Sequence, residues 1–321
     1  MKFAFVMDAV ERINVLGDTT FVFIEECQRR GHTCFMAELS DLLLRGDVAR
    51  AHLRTIRVSR QAPHFELGPP TWQSLSNVDA VWMRKDPPID TEYLYATHIL
   101  DHSHCPVFNR STSLRLANEK LLAHHFAAFM APAIVTRDMT VVREFLHECG
   151  GRAVIKPLQF SGGSGVFLLD AVDKNLAALI ETSTQFGTRY AQVQRYLPAV
   201  EAGDKRILLL DGEFLGAVLR VPARGELRGN LHVGAMPVAT TLTADEEVLC
   251  RSLAPELRAL GLMFVGIDVI GGVLTEINIT SPTGIQEMNR LYNSRLETAV
   301  IDHAEAAVRA SASHQAAGPC P

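Results

Sequence analysis

The chain has 321 residues, of which 47% are hydrophobic and 21% charged, with a formal net charge of -5; this is the profile of an ordinary globular protein with room for two or three domains. The small negative balance gives no general attraction to polyanions, so no nucleic acid partner is expected. No apolar run reaches the roughly 20 residues that a membrane-spanning helix needs, so no membrane role is expected either. The six cysteines, at 27, 34, 105, 149, 250 and 320, have no Cys-x-x-Cys spacing. They read as free thiols in a reducing cytosol, and a cytoplasmic location is the expectation.

Met1-Lys2-Phe3-Ala4-Phe5-Val6-Met7-Asp8 has one positive charge and too short an apolar run for a signal peptide, so it reads as the first buried strand. Residues 19–30 have helical spacing and stop at Gly31, and residues 33–38 are extended again. This βαβ order predicts a small parallel sheet covered by helices. Residues 78–83 form a further strand signal, with Arg84-Lys85-Asp86-Pro87-Pro88 at its C-terminal end. Ligand-binding groups gather at such ends in open α/β sheets, which makes Arg84 a candidate for a substrate carboxylate and a solvated loop arginine the alternative. His102-Ser103-His104-Cys105 lacks a partner cluster and reads as a polar connection, not a zinc site.

A helix over residues 113–129, carrying Asn118-Glu119-Lys120, is expected to close the first domain. A strand at 134–136 and a helix at 141–148 lead into Ala153-Val154-Ile155-Lys156-Pro157-Leu158. From there, apolar stretches separated by glycine turns, such as Ile207-Leu208-Leu209-Leu210 before Asp211-Gly212, predict a second, mixed or antiparallel sheet. Residues 310–321 are small and polar and are expected to form a disordered tail.

Ser161-Gly162-Gly163-Ser164-Gly165 lies between two strand signals. It therefore lacks the helix that a Walker loop or a dinucleotide fingerprint requires, and a glycine hairpin covering phosphates is the reading that remains. Lys156 sits in an apolar run, where an ammonium needs an anionic partner or an edge position, and Lys120 offers a second cation. Gln192-Val193-Gln194-Arg195-Tyr196-Leu197-Pro198 is an extended stretch whose backbone could pair with an adenine edge, and Asp204 follows at a distance suited to a ribose or an ion pair.

Val265-Gly266-Ile267-Asp268-Val269-Ile270 and Thr275-Glu276-Ile277-Asn278 flank Gly271-Gly272, which reads as a hairpin turn. Glu276 and Asn278 share one strand face, and a carboxylate beside an amide oxygen suits Mg²⁺, which completes its shell with phosphate and water. A two-residue turn would pair Asp268 with Thr275 and send Glu276 to the opposite face. A three-residue loop with a bulge would pair Asp268 with Glu276 and add a third ligand.

Met83-Arg84-Lys85-Asp86-Pro87-Pro88, Asn118-Glu119-Lys120, Gly203-Asp204-Lys205-Arg206, Arg228-Gly229-Asn230-Leu231 and Thr275-Glu276-Ile277-Asn278-Ile279-Thr280-Ser281-Pro282-Thr283 together resemble the bacterial glutathione synthetases of the ATP-grasp superfamily, over about residues 1–301. The resemblance implies α/β architecture, α+β in the C-terminal part. A parallel α/β substrate domain over 1–118 would precede an ATP-grasp domain over 119–309, with a glycine-hairpin subdomain at about 130–198 and a metal subdomain at about 199–309. It implies that Lys120, Lys156, Gly162, Gly163 and Ser164 bind ATP phosphates, that Gln194, Arg195, Tyr196 and Leu197 hold adenine, and that Asp204 faces the ribose. Asp268, Glu276 and Asn278 would hold Mg²⁺, with Mn²⁺ as a possible substitute. Arg206 and Arg220 would be the catalytic cations, and Arg84, Arg228, Asn230, Ser281 and Thr283 would seat substrate.

The implied reaction joins γ-glutamylcysteine to glycine with ATP as co-substrate, in a homotetramer. A lid over residues 222–230, hinged at Gly225, Gly229 and Gly234, would exclude water. His232-Val233-Gly234-Ala235-Met236 departs from the Gly-Gly-Arg ending of some relatives. The competing readings are another ATP-grasp ligase of amino acids or peptides, and a nucleotide-binding protein without catalysis.

Overall fold

The computed structural model describes residues 1–160, 162–223, 229 and 234–316. Strand β1 (Lys2–Val6) is followed by helix α1 (Thr19–Arg29) and β2 (Thr33–Ala37), which lies parallel to β1. Asp18 starts α1 by accepting a hydrogen bond from Phe21 N at 2.6 Å, a side-chain cap on an otherwise unpaired donor. Further on come β3 (Leu42–Arg45), β4 (Val48–Val58), β5 (Phe65–Leu67), β6 (Thr71–Ser74), β7 (Ala80–Met83), α2 (Thr91–Leu100), β8 (Val107–Phe108) and α3 (Ser111–Leu116). β7 is parallel to both β1 and β8.

The other flank of this sheet departs from the parallel expectation. β4 runs antiparallel to β2 and carries β3, β5 and β6. Only two residues, with Gly46 at φ 66°, separate β3 from β4, and so short a link can join only antiparallel strands. Phe3, Phe5, Phe21, Phe23 and Trp82 are fully buried between the sheet and α1.

The single helix expected over 113–129 is broken. α3 ends at Leu116, Ala117 is extended, and Asn118 caps a new turn, α4 (Glu119–Leu122), by accepting from Lys120 N and Leu121 N; 3₁₀ turns continue over Ala123–Phe129. An asparagine side chain that satisfies two amide donors makes restarting a helix more favourable here than continuing one.

β9 (Ala133–Thr136), α5 (Met139–Glu148), β10 (Arg152–Pro157), β11 (Phe167–Asp170), α6 (Leu176–Ser183) and β12 (Ala191–Arg195) form an antiparallel sheet in the order β11-β10-β12-β9. Val142, Phe145, Ile155, Leu169, Ile180 and Val193 make up its core. β10 and β11 are joined by the glycine loop, where Gly162, Gly163 and Gly165 all take left-handed φ.

The last sheet contains β13 (Asp204–Leu210), β14 (Glu213–Val221), β15 (Met236–Ala239), β16 (Phe264–Ile270) and β17 (Val273–Asn278) in the antiparallel order β15-β14-β13-β16-β17. Ile207, Leu209, Ile267, Val269, Leu274 and Ile277 pack on one face with Leu249, Leu253 and Leu257 of α7 (Ala244–Ala259).

The β16–β17 hairpin combines the two alternatives read from sequence. Its turn has two residues, Gly271 (φ 57°) and Gly272 (φ 82°), closing Ile270 against Val273. A bulge at Thr275, inside the strand, nevertheless places Asp268 opposite Glu276, and the Thr275 hydroxyl donates to Asp268 O at 3.0 Å.

α8 (Ile285–Tyr292) and α9 (Leu296–Ala316) complete the chain. Residues 310–316, expected in a disordered tail, continue α9: Ala310, Ala312 and Ala316 favour a helix already nucleated by its packing along α1. Residues 317–321 lie outside the described residues. No helix of the described residues is long and apolar enough to cross a membrane.

Candidate active site

A cavity of 740 Å³ opens where the three sheets meet. Strand register explains its chemistry. Arg206 pairs with Asp268, Asp204 with Arg220, and Asp268 with Glu276, so these side chains and Asn278 share the face opposite the apolar core. The hairpin sheet contributes Lys156, Gly162, Gly163, Ser164 and Gln194 to Leu197, and the first domain contributes Arg84. Lys120, Ser281 and Thr283 also line it. Arg228 and Asn230 lie outside the described residues, as does most of the proposed lid. Gly229, which is described, passes so near that a Cβ there would lie 2.7 Å from Asp204 Cβ.

Four cations (Lys120, Lys156, Arg206, Arg220) face three carboxylates (Asp204, Asp268, Glu276). Arg206 donates to Asp268 from Nε at 2.5 Å and from Nη2 at 3.0 Å. Arg220 Nη2 bridges Asp204 Oδ2 at 2.5 Å and Asp268 Oδ1 at 3.0 Å. Burial pushes Asp268 upward, but Arg206 and Arg220 outweigh it and hold the carboxyl well below the usual carboxylate range. Burial pushes Asp204 up to about 6, partly offset by Arg220 and reinforced by Asp268. Burial also lowers the Lys156 ammonium, against the attraction of Glu276. Among the described residues Asp204 Oδ1, Arg220 Nε and Gln194 Nε2 are buried without a hydrogen-bond partner. Such groups are costly unless a ligand satisfies them.

Asp268, Glu276 and Asn278 form a hard-oxygen donor set on paired strands. Among the described residues no three His, Cys, Asp or Glu side chains stand together as a metal cage. Two carboxylates and one amide match a cation that finishes its shell with phosphate and water, so the residues fit Mg²⁺.

Sequence reasoning quoted Glu119 without assigning it a role. Its buried Oε1 accepts from Ile279 N (2.8 Å), Thr280 N (3.1 Å) and Thr280 Oγ1 (3.0 Å), tying α4 to the end of β17. Next to it, Lys120 Nζ donates to Phe160 O at 2.6 Å and sits 3.1 Å from Glu276, while Asn118 Nδ2 donates to Leu158 O at 3.1 Å. One short turn thus fastens the hairpin loop to the carboxylate strand. The N-cap pattern at Asn118 was the available clue. Asp8, Asp18 and Asp86 of the first domain also line the cavity and were not singled out. Asp8 pairs with Lys85 at 2.9 Å, and Asp86 accepts from the Ser281 hydroxyl.

D-cycloserine synthetase DcsG superposes with a TM-score of 0.66 at 16% identity, over 94% of this chain and 99% of that one. A D-alanine–D-alanine ligase from Bacillus anthracis, solved with ATP, gives 0.61 at 12% identity over 97% and 98%. The model of the prokaryotic glutathione synthetase ATP-grasp domain matches residues 119–293. The fold and cavity are thus those of an ATP-grasp ligase. The model of the prokaryotic glutathione synthetase N-terminal domain matches residues 1–115. Glutathione synthetase of Synechocystis sp. is 44% identical, covering 94% of this chain and 98% of the relative; that of Shewanella oneidensis is 42% identical over 95% and 98%. The chain belongs to the prokaryotic glutathione synthetase family.

Proposed function

We propose that the protein joins γ-glutamylcysteine to glycine, cleaving ATP to ADP and phosphate through an acyl phosphate. The observation that best supports this is the meeting, in one cavity, of a glycine hairpin, four cations and a hard-oxygen face with the buried Arg84 of the first domain. The cysteine carboxylate of the dipeptide attacks the γ-phosphorus, and Lys120, Lys156, Arg206 and Arg220 offset the charge that would repel an anionic nucleophile. Gly162, Gly163 and Ser164 cover the phosphates. Gln194, Arg195, Tyr196 and Leu197 hold adenine, and Asp204, with one oxygen unpaired among the described residues, receives the ribose. Asp268, Glu276 and Asn278 would hold Mg²⁺ or Mn²⁺, which supplies further positive charge at the phosphate oxygens.

The glycine amine then adds to the acyl phosphate, and collapse of the tetrahedral adduct expels phosphate and leaves the amide. Water would hydrolyse that intermediate, so the lid over residues 222–230 closes during turnover, with Arg228 and Asn230 reaching substrate. Arg84, Ser281 and Thr283 seat the peptide. The substrate domain spans 1–118 and the ATP-grasp domain 119–309. A cytoplasmic location agrees with free thiols at Cys27, Cys34, Cys105, Cys149 and Cys250. The family resemblance supports a homotetramer, to be measured by sedimentation.

The test is ADP release from Mg-ATP and γ-glutamylcysteine with and without glycine, with mass detection of product. Glycine-dependent release matched by tripeptide is expected; nucleotide binding without product would send the assignment to another acid or amine.

A further inference from the structure

The first-domain wall of the cavity holds two opposite charges, Arg84 and Asp18, that attract each other but form no direct ion pair among the described residues. Arg84 is 5% exposed, and its Nε and Nη2 donate to Thr20 Oγ1 and Pro282 O, both at 3.1 Å. Neither acceptor is charged, and among the described residues no carboxylate forms an ion pair with this guanidinium. Its flanks are the rings of Phe23 and Phe264, with centroids 5.6 and 5.7 Å away. A buried guanidinium without a directly bonded counterion is costly, and a ligand carboxylate relieves that cost.

Asp18 is its complement. Asp8 is paired with Lys85, and Asp86 accepts from Ser281, but among the described residues no cation pairs with Asp18. Its Oδ1 caps Phe21 N, the Thr20 amide also approaches the carboxylate, and the side chain lines the cavity. Thr20, which accepts from Arg84, lies two residues beyond Asp18 in the same first turn of α1, so carboxylate and guanidinium stand within one helical turn. The segment is fixed from behind: Gln286 Nε2 donates to Val15 O (2.9 Å) and Asp18 O (2.6 Å), and Arg60 Nη1 donates to Gln286 Oε1 (2.7 Å).

We infer that Asp18 is a specificity-determining residue that receives the α-ammonium of the glutamyl end of the dipeptide while Arg84 takes the α-carboxylate on the same carbon. This rests on the ligase reading above. Of the two substrates that carry both charges, only the dipeptide can keep its ammonium through the reaction. Glycine must lose a proton to attack, and a carboxylate beside it would hold it in the unreactive form. The wall therefore suits the non-reacting head and leaves the cysteine carboxylate to reach the phosphate-binding cations.

The experiment compares γ-glutamylcysteine with glutarylcysteine, which lacks only the α-amino group, in the wild-type enzyme and in Asp18→Asn. Asparagine is also a good N-cap, so α1 retains its start, and Asp18→Ser serves as a second cap-competent variant. The wild type is expected to prefer γ-glutamylcysteine by about tenfold or more in kcat/KM, the size of one charge-assisted hydrogen bond. Both variants are expected to lose most of that preference through KM for γ-glutamylcysteine, with KM for glycine and ATP unchanged. A variant that keeps the wild-type preference, weakens both dipeptides equally, or raises KM for glycine instead would overturn the assignment. If the wild type makes no tripeptide, the ligase reading fails first, before any variant is compared, and this assignment fails with it.

Discussion

Glu276→Gln separates chemistry from stability at one position. The side chain is 21% exposed, and its ion pair is a single contact with Lys120 at 3.1 Å. A partly exposed pair of this kind contributes about 1 kcal/mol or less, and glutamine keeps the shape. Loss of a charged oxygen donor beside the transferred phosphoryl group should lower turnover by about a hundredfold or more. The comparison variant is Asp268→Asn. That carboxylate is 9% exposed and receives hydrogen bonds from both Arg206 and Arg220. Neutralising it leaves two buried guanidinium groups with Asp204 as their remaining carboxylate, which should cost about 3–5 kcal/mol. Urea unfolding at constant m-value reads the first quantity, and glycine-dependent ADP release at saturating Mg-ATP reads the second. A Glu276→Gln enzyme with near-normal turnover, or one as destabilised as Asp268→Asn, would refute the division of roles.

Arg84→Ala should raise KM for the dipeptide about tenfold or more while kcat changes little, since its contacts are to a non-reacting head; an unchanged KM in steady-state assays would remove it from the substrate site. Glu26, fully buried at the α1–α9 contact, is held at about 2 by its hydrogen bonds to Arg29, which together with Arg30 outweigh its burial. Its folded value lies below its unfolded one, so its stabilisation is present above about pH 4.5 and is lost as pH falls toward 2. The loss should reach about 1–3 kcal/mol, because two of its partners, Arg29 and Arg295, are half exposed and screened. Glu26→Gln should be less stable than wild type at pH 7 and lose less on acidification, as read by thermal unfolding across that range; equal acid sensitivity would count against the linkage.

Much of the site was legible because strands impose simple alternation. Glu276 and Asn278 could be placed on a common face from spacing alone, whereas Asp268 joined them only if the hairpin carried an extra residue. The bulge at Thr275 was not legible, since a glycine pair in the turn is equally compatible with a regular ladder, and what holds the extra residue is a hydroxyl reaching back to Asp268 O. The break at Asn118 was hidden for a related reason. Apolar spacing continues across it, and the competing side-chain hydrogen bonds become visible only in three dimensions. Asp18 was not singled out from sequence, and in the structure it is an ordinary helix cap. Only Arg84 beside Thr20, without a directly bonded counterion, gives it a second role. The antiparallel flank of the first sheet followed from Gly46, a short-range turn signal within a region dominated by βαβ alternation.

The two-faced catalytic sheet also sets how mutations are read out. Along β13 and β16 the even-numbered Asp204, Arg206 and Asp268 face the cavity, the even-numbered Leu208 and Phe264 pack into the apolar cluster shared with the first domain, and odd-numbered positions such as Ile207, Ile267 and Val269 face the apolar layer on the other side. In a library scored for both abundance and activity, the odd apolar positions should lose the protein itself, whereas charge-retaining changes at the cavity-facing positions should lose turnover in protein that still accumulates, and neutralising Asp268 should lose both. On β17 the phase slips at Thr275: Leu274 belongs to the apolar layer although its number is even, and the alternation resumes at Glu276. A one-residue length change in β13 or β16 exchanges the two classes, whereas at the bulge the strand has already absorbed one.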